Sequence, residues 1–207
     1  MTELELSRRE RKKEETKERI FKVACKLFRD KGFEATTIDD ITERADVAKG
    51  TFFNYFPRKE AVLGYLSEVQ MTDAVENAEA ILAARRPARD KLLALYVGVA
   101  AGYEEDRELS WFILMESMQR AFAISEDVHN RWHNLTVSVI QQGQGIGELR
   151  ANVDPRRAER VLHSTFLGAL FMWLKCPEVA DMNLRSELQE RLALVLDGLA
   201  VRGKGKS

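Results

Sequence analysis

The stretch that decides the fold is Thr36–Leu63, which reads TTIDDITERADVAKGTFFNYFPRKEAVL. Its first part predicts a short helix, because Thr37 is a favourable N-cap and Asp40 follows it at the spacing of a capping box. A tight turn with the sequence DVA then leads to a second short helix at about Lys49–Phe56. Pro57 ends that helix, since the residue before a proline disfavours the helical region. The stretch therefore predicts two short helices joined by a tight turn.

The second short helix is rich in aromatic residues. On a helical wheel Phe52 and Phe56 fall on one side and can pack into a core, whereas Phe53 and Asn54 point outward. Gly50 lies on the outward side as well, although a glycine inside a helix costs about 1 kcal/mol relative to alanine. Such a glycine is understandable if the backbone of another molecule must come close to it. The outward face is therefore a candidate contact surface.

Two short helices with a tight turn have the geometry of a helix-turn-helix, whose second helix enters the major groove of DNA. There Asn54 can pair with adenine, Phe53 can contact a thymine methyl group, and Lys49 can reach guanine or a phosphate. Tyr55 and Lys59, near the start of the fourth helix, suit phosphates. The alternative is a helical subdomain whose aromatic residues all belong to its core. The predicted DNA-binding residues are Thr37, Lys49, Gly50, Thr51, Phe53, Asn54, Tyr55 and Lys59.

The same stretch resembles the N-terminal domain of the TetR family of bacterial transcription regulators, whose pattern is TTxxxIAxxAGVSxGTxYxYFxxKExL. Three positions depart from that pattern. Asp46 stands for the turn glycine, which is tolerable because aspartate visits left-handed conformations. Ala48 replaces the serine cap, which should weaken the start of the helix by about 1 kcal/mol. Phe53 replaces a groove-facing tyrosine and removes a potential hydroxyl contact to a phosphate.

The rest of the chain has a helical pattern almost throughout, and Asp154 with Pro155 is a strong helix start. The sequence therefore predicts an all-α protein, with a helix-turn-helix head at 1–57 and a helical body at 58–207. The resemblance implies that the head is a three-helix DNA-binding domain and that the body binds an effector and dimerises. Further helices are predicted at about Lys13–Lys31, Arg58–Arg85, Ala88–Glu104, Leu109–Ala123, Glu126–Gln142, Pro155–Lys175 and Leu184–Val201.

Two of the body helices carry apolar stripes, and the helix at 155–175 is apolar on a second side as well. A helix with two apolar sides needs two partners, its own core and another subunit. The resemblance implies that the last two helices pack against the same two helices of a second subunit and form a dimeric four-helix bundle. The predicted dimer interface consists of Leu162, Phe166, Leu170, Trp173, Leu188, Leu192, Val195, Leu196 and Leu199.

The helix at 109–123 is apolar on more than one side. It either belongs to the core or lines a cavity with Glu116 or Gln119 as its polar anchor. The resemblance implies a small-molecule cavity in the body. The candidate ligand-binding residues are Trp111, Met115, Met118, Gln119, Phe122 and Phe166.

Composition and charge limit the remaining function classes. The net charge is -1 and 45% of the residues are hydrophobic, which indicates a folded core and argues against a general polyanion binder. The two cysteines form no disulfide framework or zinc set, and the sequence shows neither a secretory signal nor a membrane span. We therefore expect a cytoplasmic protein that does not bind membranes. The basic run Arg8–Lys13 is either an arm that touches DNA or a solvated extension of the first helix.

We conclude from the sequence that the protein is a homodimeric regulator of transcription. The resemblance leads us to expect a repressor that a small-molecule effector releases from a palindromic operator in double-stranded DNA. We expect no catalysis, cofactor or bound metal. One alternative is a DNA-bound platform that recruits a protein partner. Another is a metal-binding enzyme or sensor that uses His129 and His133, which are spaced one helical turn apart.

Overall fold

The computed structural model describes residues 7–120, 126–176 and 182–200, without the side chains of residues 79, 120 and 126–129. Within these ranges the chain is helical, as the sequence predicted. The helices are α1 (Arg8–Lys31), α2 (Ile38–Arg44), α3 (Lys49–Tyr55), α4 (Glu60–Ala83), α5 (Ala88–Glu104), α6 (Arg107–Arg120), α7 (Glu126–Gly145), α8 (Pro155–Lys175) and α9 (Leu184–Leu199).

Helix α5 and helix α8 have the predicted bounds, and Asp154 caps α8 by accepting a hydrogen bond from the backbone N–H of Arg157 at 2.7 Å. Helix α1 begins earlier than predicted because Ser7 and Glu10 form a capping box in front of the basic run. The run Arg8–Lys13 is therefore part of a helix, which supports its interpretation as an extension of α1.

The described residues fall into two compact units, which we call the head unit and the body unit. The head unit comprises the described residues up to Ser67, together with those of Trp111–Phe122. The body unit comprises the described residues of Glu68–Ser110 and of Ala123–Ser207. Helices α4 and α6 each contribute residues to both units. None of the described helices is long and apolar enough to span a membrane.

The core of the head unit forms where α1, α2 and α3 meet. Phe52 and Phe56 are 0% and 2% exposed, which confirms that they belong to the core. Cys25 is buried on α1, and this burial raises the pKa of its thiol to about 12. Other buried side chains here are Ile20, Ala24, Leu27, Phe28 and Ile41.

The core of the body unit corrects the predicted role of the apolar stripes. Helix α9 packs against both α8 and α5, so the stripe that was assigned to a partner subunit is covered within the chain. Val195 and Leu199 are half-buried. The buried members, each 7% exposed or less, are Leu162, Phe166, Leu170, Trp173, Leu188, Leu192 and Leu196. These side chains stabilise the subunit itself.

Candidate nucleic-acid interface

The turn between α2 and α3 is held by backbone hydrogen bonds. The N–H of Val47 donates to the carbonyl of Thr42 at 3.0 Å, and the N–H of Asp46 donates to the carbonyl of Glu43 at 3.2 Å. Asp46 has a φ of 50°, the left-handed conformation that the family pattern reserves for glycine. The turn therefore keeps its conformation although an aspartate occupies it.

A capping box fixes the start of α2, as predicted. The hydroxyl of Thr37 accepts from the N–H of Asp40 at 3.1 Å, and the carboxylate of Asp40 accepts from the N–H of Thr37 at 2.7 Å. Lys31 also contacts this carboxylate at 2.5 Å. Hydrogen bonds from Lys31 and Thr37 hold the pKa of Asp40 well below its usual range. Thr37 is therefore exposed at the start of α2, where its hydroxyl caps the helix.

Helix α3 presents one face to the head core and the opposite face to solvent. Phe53 is 48% exposed, which confirms its outward orientation, and Gly50 and Asn54 are exposed beside it. A Cβ added at Gly50 would find no described heavy atom within 4 Å. Ala48 makes no side-chain capping bond, as its replacement of serine predicted. Nothing described in the chain itself explains why position 50 is a glycine.

The other predicted contact residues on α3 lie around this exposed face. Thr51 and Tyr55 are half-buried at its edges, and Lys49 is exposed at its start. The Lys49 ammonium lies 2.5 Å from the carboxylate of Asp39 on α2, and both side chains are more than 60% exposed. Exposed ion pairs of this kind contribute little to stability and are easily exchanged. Lys49 is therefore held near the exposed face of α3 while remaining available for a phosphate.

Lys59 is half-buried, unlike the exposed Lys49. Its ammonium donates to the carbonyls of Phe33 at 2.7 Å, Thr36 at 2.8 Å and Glu34 at 3.3 Å. It also lies 4.3 Å from the centre of the Phe33 ring. Burial lowers the pKa of this ammonium. We therefore interpret Lys59 as a structural residue that fixes the turn before α2, and not as the phosphate contact that the sequence predicted.

An ion pair between the exposed Arg58 and the buried Glu116 connects the segment between α3 and α4 to α6 within the head unit. Arg58 donates to both carboxylate oxygens of Glu116, at 2.9 and 3.2 Å, and the Glu116 side chain is only 4% exposed. The sequence suggested Glu116 as a polar anchor for a ligand. The structure shows its carboxylate bound to Arg58 instead.

The candidate ligand-binding residues occupy both units. On α6, Trp111 and Met115 are half-buried, whereas Met118 and Gln119 are exposed. Phe166 belongs to the body core, where its ring centre lies 5.7 Å from that of Tyr96. Phe122 lies outside the described residues, as does the side chain of His129. This ligand-binding set stays a prediction.

Comparisons with known proteins agree with this arrangement. Residues 20–66 match the family described as bacterial regulatory proteins, tetR family. The chain is 31% identical to the Thermus thermophilus repressor FadR, a TetR-family protein whose structure contains lauroyl-CoA. The two structures superpose with a TM-score of 0.72 over 92% of this chain and 98% of that one.

Two further relatives match along most of this chain. The repressor KstR2 of Rhodococcus jostii is 24% identical over 188 residues, which cover 87% of this chain and 89% of KstR2. The uncharacterized regulator YerO of Bacillus subtilis is 27% identical over 203 residues, which cover 90% of this chain and 66% of YerO. Together with the helix-turn-helix of α2 and α3, these similarities show that the chain belongs to the TetR family of bacterial transcriptional regulators.

Proposed function

We propose that this protein is a transcriptional repressor that binds a palindromic operator and leaves it when a small molecule binds. The observation that carries the proposal is the exposed face of α3, where Gly50, Phe53 and Asn54 lie opposite the buried Phe52 and Phe56. The repressors that match along most of the chain support release by a ligand over recruitment of a protein partner. We assign DNA binding to residues 1–57 and effector binding and dimerisation to residues 58–207.

In the proposed complex α3 lies in the major groove. Asn54 reads adenine through its amide, and Phe53 contacts a thymine methyl group. Lys49 exchanges its exposed partner Asp39 for a phosphate, a contact that positions the head without reading sequence. Gly50 lets the DNA approach the helix backbone. Thr37, Thr51 and Tyr55 complete the contact at the edges of this face.

Replacing Gly50 with alanine separates DNA binding from folding. Alanine is a better helix former by about 1 kcal/mol, and its methyl group meets no described atom of the chain, so Gly50→Ala should unfold at a higher temperature than the parent. The same methyl group would obstruct the DNA, so operator affinity should fall at least about tenfold, which corresponds to about 1.4 kcal/mol. Fluorescence anisotropy with labelled operator and thermal unfolding by circular dichroism measure the two effects.

Gly98→Ala is the matched control, because Gly98 is also an exposed helical glycine with no described atom near an added Cβ. It lies on α5, away from α3 in the chain, and should raise stability while leaving operator affinity unchanged. Equal operator affinity in the parent and in Gly50→Ala would contradict the placement of α3 in the groove.

For the effector we propose an acyl thioester of coenzyme A. The support is the 31% identity to the Thermus thermophilus repressor that was solved with lauroyl-CoA. The described part of the body unit contains a cleft of about 360 Å³, lined by Val75, Arg131, Asn134, Leu135 and Ser138. This volume lies in the range of small-molecule sites, and the Arg131 guanidinium suits an anionic group. The cleft is a candidate for part of the effector site.

The effector proposal predicts that acyl-CoA releases labelled operator from the protein. A series of acyl-CoA chain lengths should show an optimum, because a pocket discriminates chains that fill it from chains that do not. Free coenzyme A and the matching free fatty acids serve as controls that carry only one half of the ligand. Operator binding that no chain length reduces would contradict this effector class but would leave the DNA-binding proposal intact.

The subunit also presents an exposed apolar face that can pair with a second copy. Val161 and Phe171 on α8 are 45% and 44% exposed, and Leu194 on α9 is 76% exposed. Ser164 and Gly168 lie between the two α8 residues at helical spacing and are exposed as well. We assign the homodimer contact to this face in place of the buried stripe. The face belongs to the same two helices, α8 and α9, but lies on their outer sides.

A further inference from the structure

A polar cluster lies inside the body unit, between α7 and α8. His133 is on α7, while Glu159 and His163 are one helical turn apart on α8. His133 Nδ1 lies 2.5 Å from a carboxylate oxygen of Glu159, and the centres of the two imidazole rings are 4.9 Å apart. One potential donor atom from each residue lies within 4.8 Å of the other two. Three side chains that commonly bind metals thus converge at one place.

The three side chains of the cluster are all at least partly buried. Glu159 is only 4% exposed, and both histidines are half-buried. Tyr96 is 1% exposed and in contact with Trp132, and burial, together with the nearby charge of Glu159, raises the pKa of its phenol. A buried carboxylate is costly unless hydrogen bonds and a positive charge compensate it. A metal ion bound between Glu159 and the two imidazoles would supply positive charge at this carboxylate.

We propose that His133, Glu159 and His163 bind a divalent transition-metal ion of the zinc class. Two imidazole nitrogens and one carboxylate oxygen form a known three-ligand set for zinc, which leaves a fourth position for water or another ligand. Calcium and magnesium fit poorly because both prefer a larger number of oxygen ligands. A tetrahedral site with bonds of about 2.1 Å requires donor atoms about 3.4 Å apart. Small rotations of the side chains would convert the present distances into that spacing.

This site differs from the histidine pair that the sequence suggested. His129 and His133 share one helix, whereas the proposed ligands join α7 to α8. An ion bound to them would therefore cross-link two helices of the body unit and stabilise the folded state over the unfolded one. The proposal concerns ion binding by the body unit and is independent of the operator and of the effector class.

The test uses the full-length chain, freed of any affinity tag and treated with a chelator. Titration with Zn²⁺ in a calorimeter should show one ion per subunit with micromolar or tighter affinity. Co²⁺ should produce the intense visible absorption of a four-coordinate ion. At Zn²⁺ concentrations about 100 times the Kd, the unfolding temperature should rise by about 5 °C.

Two ligand variants and two controls complete the experiment. Glu159→Gln and His163→Asn should each weaken Zn²⁺ binding at least about tenfold and remove the Co²⁺ absorption. Circular dichroism without metal verifies that each variant is folded. If only one of the two variants folds, that variant alone tests the proposal. Glu76→Gln, on an exposed part of α4, should bind as the parent does.

Absence of Zn²⁺ binding by the parent would overturn the proposal. Zn²⁺ binding that folded Glu159→Gln and His163→Asn both leave unchanged would also overturn it, and loss of that binding in His129→Ala would then place the ion at His129.

Discussion

Leu194→Arg is expected to produce a folded monomer that has lost most of its affinity for the operator. Leu194 is 76% exposed on α9, so an arginine there is solvated in the separated subunit and becomes costly only when a second copy covers it. One head alone contacts one half-site, and joining two heads increases affinity by about 10²–10⁴. Sedimentation and anisotropy measure the monomer and the loss of binding.

Leu192→Arg is the comparison variant on the same helix. Leu192 is 0% exposed in the body core, where α8 and α5 pack against α9. An arginine there costs several kcal/mol, a large part of the roughly 5–15 kcal/mol that stabilises a typical folded protein. This variant should therefore lose its cooperative unfolding transition, whereas Leu194→Arg should keep it. A dimeric Leu194→Arg protein with unchanged operator affinity would show that the exposed face of α8 and α9 does not join the subunits.

Lys59→Met is expected to destabilise the head unit by about 3 kcal/mol. The Lys59 ammonium donates to three backbone carbonyls in the turn before α2. One hydrogen bond from a charged group contributes about 1.5–3 kcal/mol, and three bonds that share one half-buried ammonium contribute less than three times that amount. Methionine keeps the length of the side chain and removes only the donor. Hydrogen exchange of the α2 and α3 amides should therefore accelerate, and operator binding should weaken because the helices are less ordered.

Lys49→Met is the matched control, since it removes the same charge from an exposed position. It should leave unfolding unchanged, because its pair with Asp39 is solvated. It should weaken binding to all DNA sequences alike. The slope of the logarithm of the binding constant against the logarithm of the salt concentration should fall in magnitude by about one unit. If the two lysine variants have the same stability and the same salt dependence, the distinction between a structural and a DNA-binding lysine is wrong.

The features that depend on neighbouring residues could be predicted from the sequence. The capping box of Thr37 and Asp40 and the turn at Asp46 involve groups only a few residues apart, so local pattern and propensity determine them. The opposite exposure of Phe52 and Phe53 follows from helical periodicity alone. For the same reason α5 and α8 were predicted with the bounds that the structure has.

The features that depend on distant residues could not be predicted in this way. A helical wheel shows that Leu188, Leu192 and Leu196 form an apolar stripe, but it does not show that α5 covers it. The charge of Lys59 is evident in the sequence, whereas the carbonyls that bind it belong to a turn more than 20 residues earlier. His133 meets its neighbours on α8 only through the packing of α7 against that helix.

The open space around Gly50 has a consequence for how sequences of this kind diverge. Since alanine at that position would strengthen the helix and contact nothing described in the chain, selection for stability alone would favour the change. In the proposed complex, selection for close approach of DNA to the helix backbone opposes the change. In gene copies that have lost their operator, we therefore expect glycine to give way to alanine early, while Phe52 and Phe56 persist because the fold still requires them.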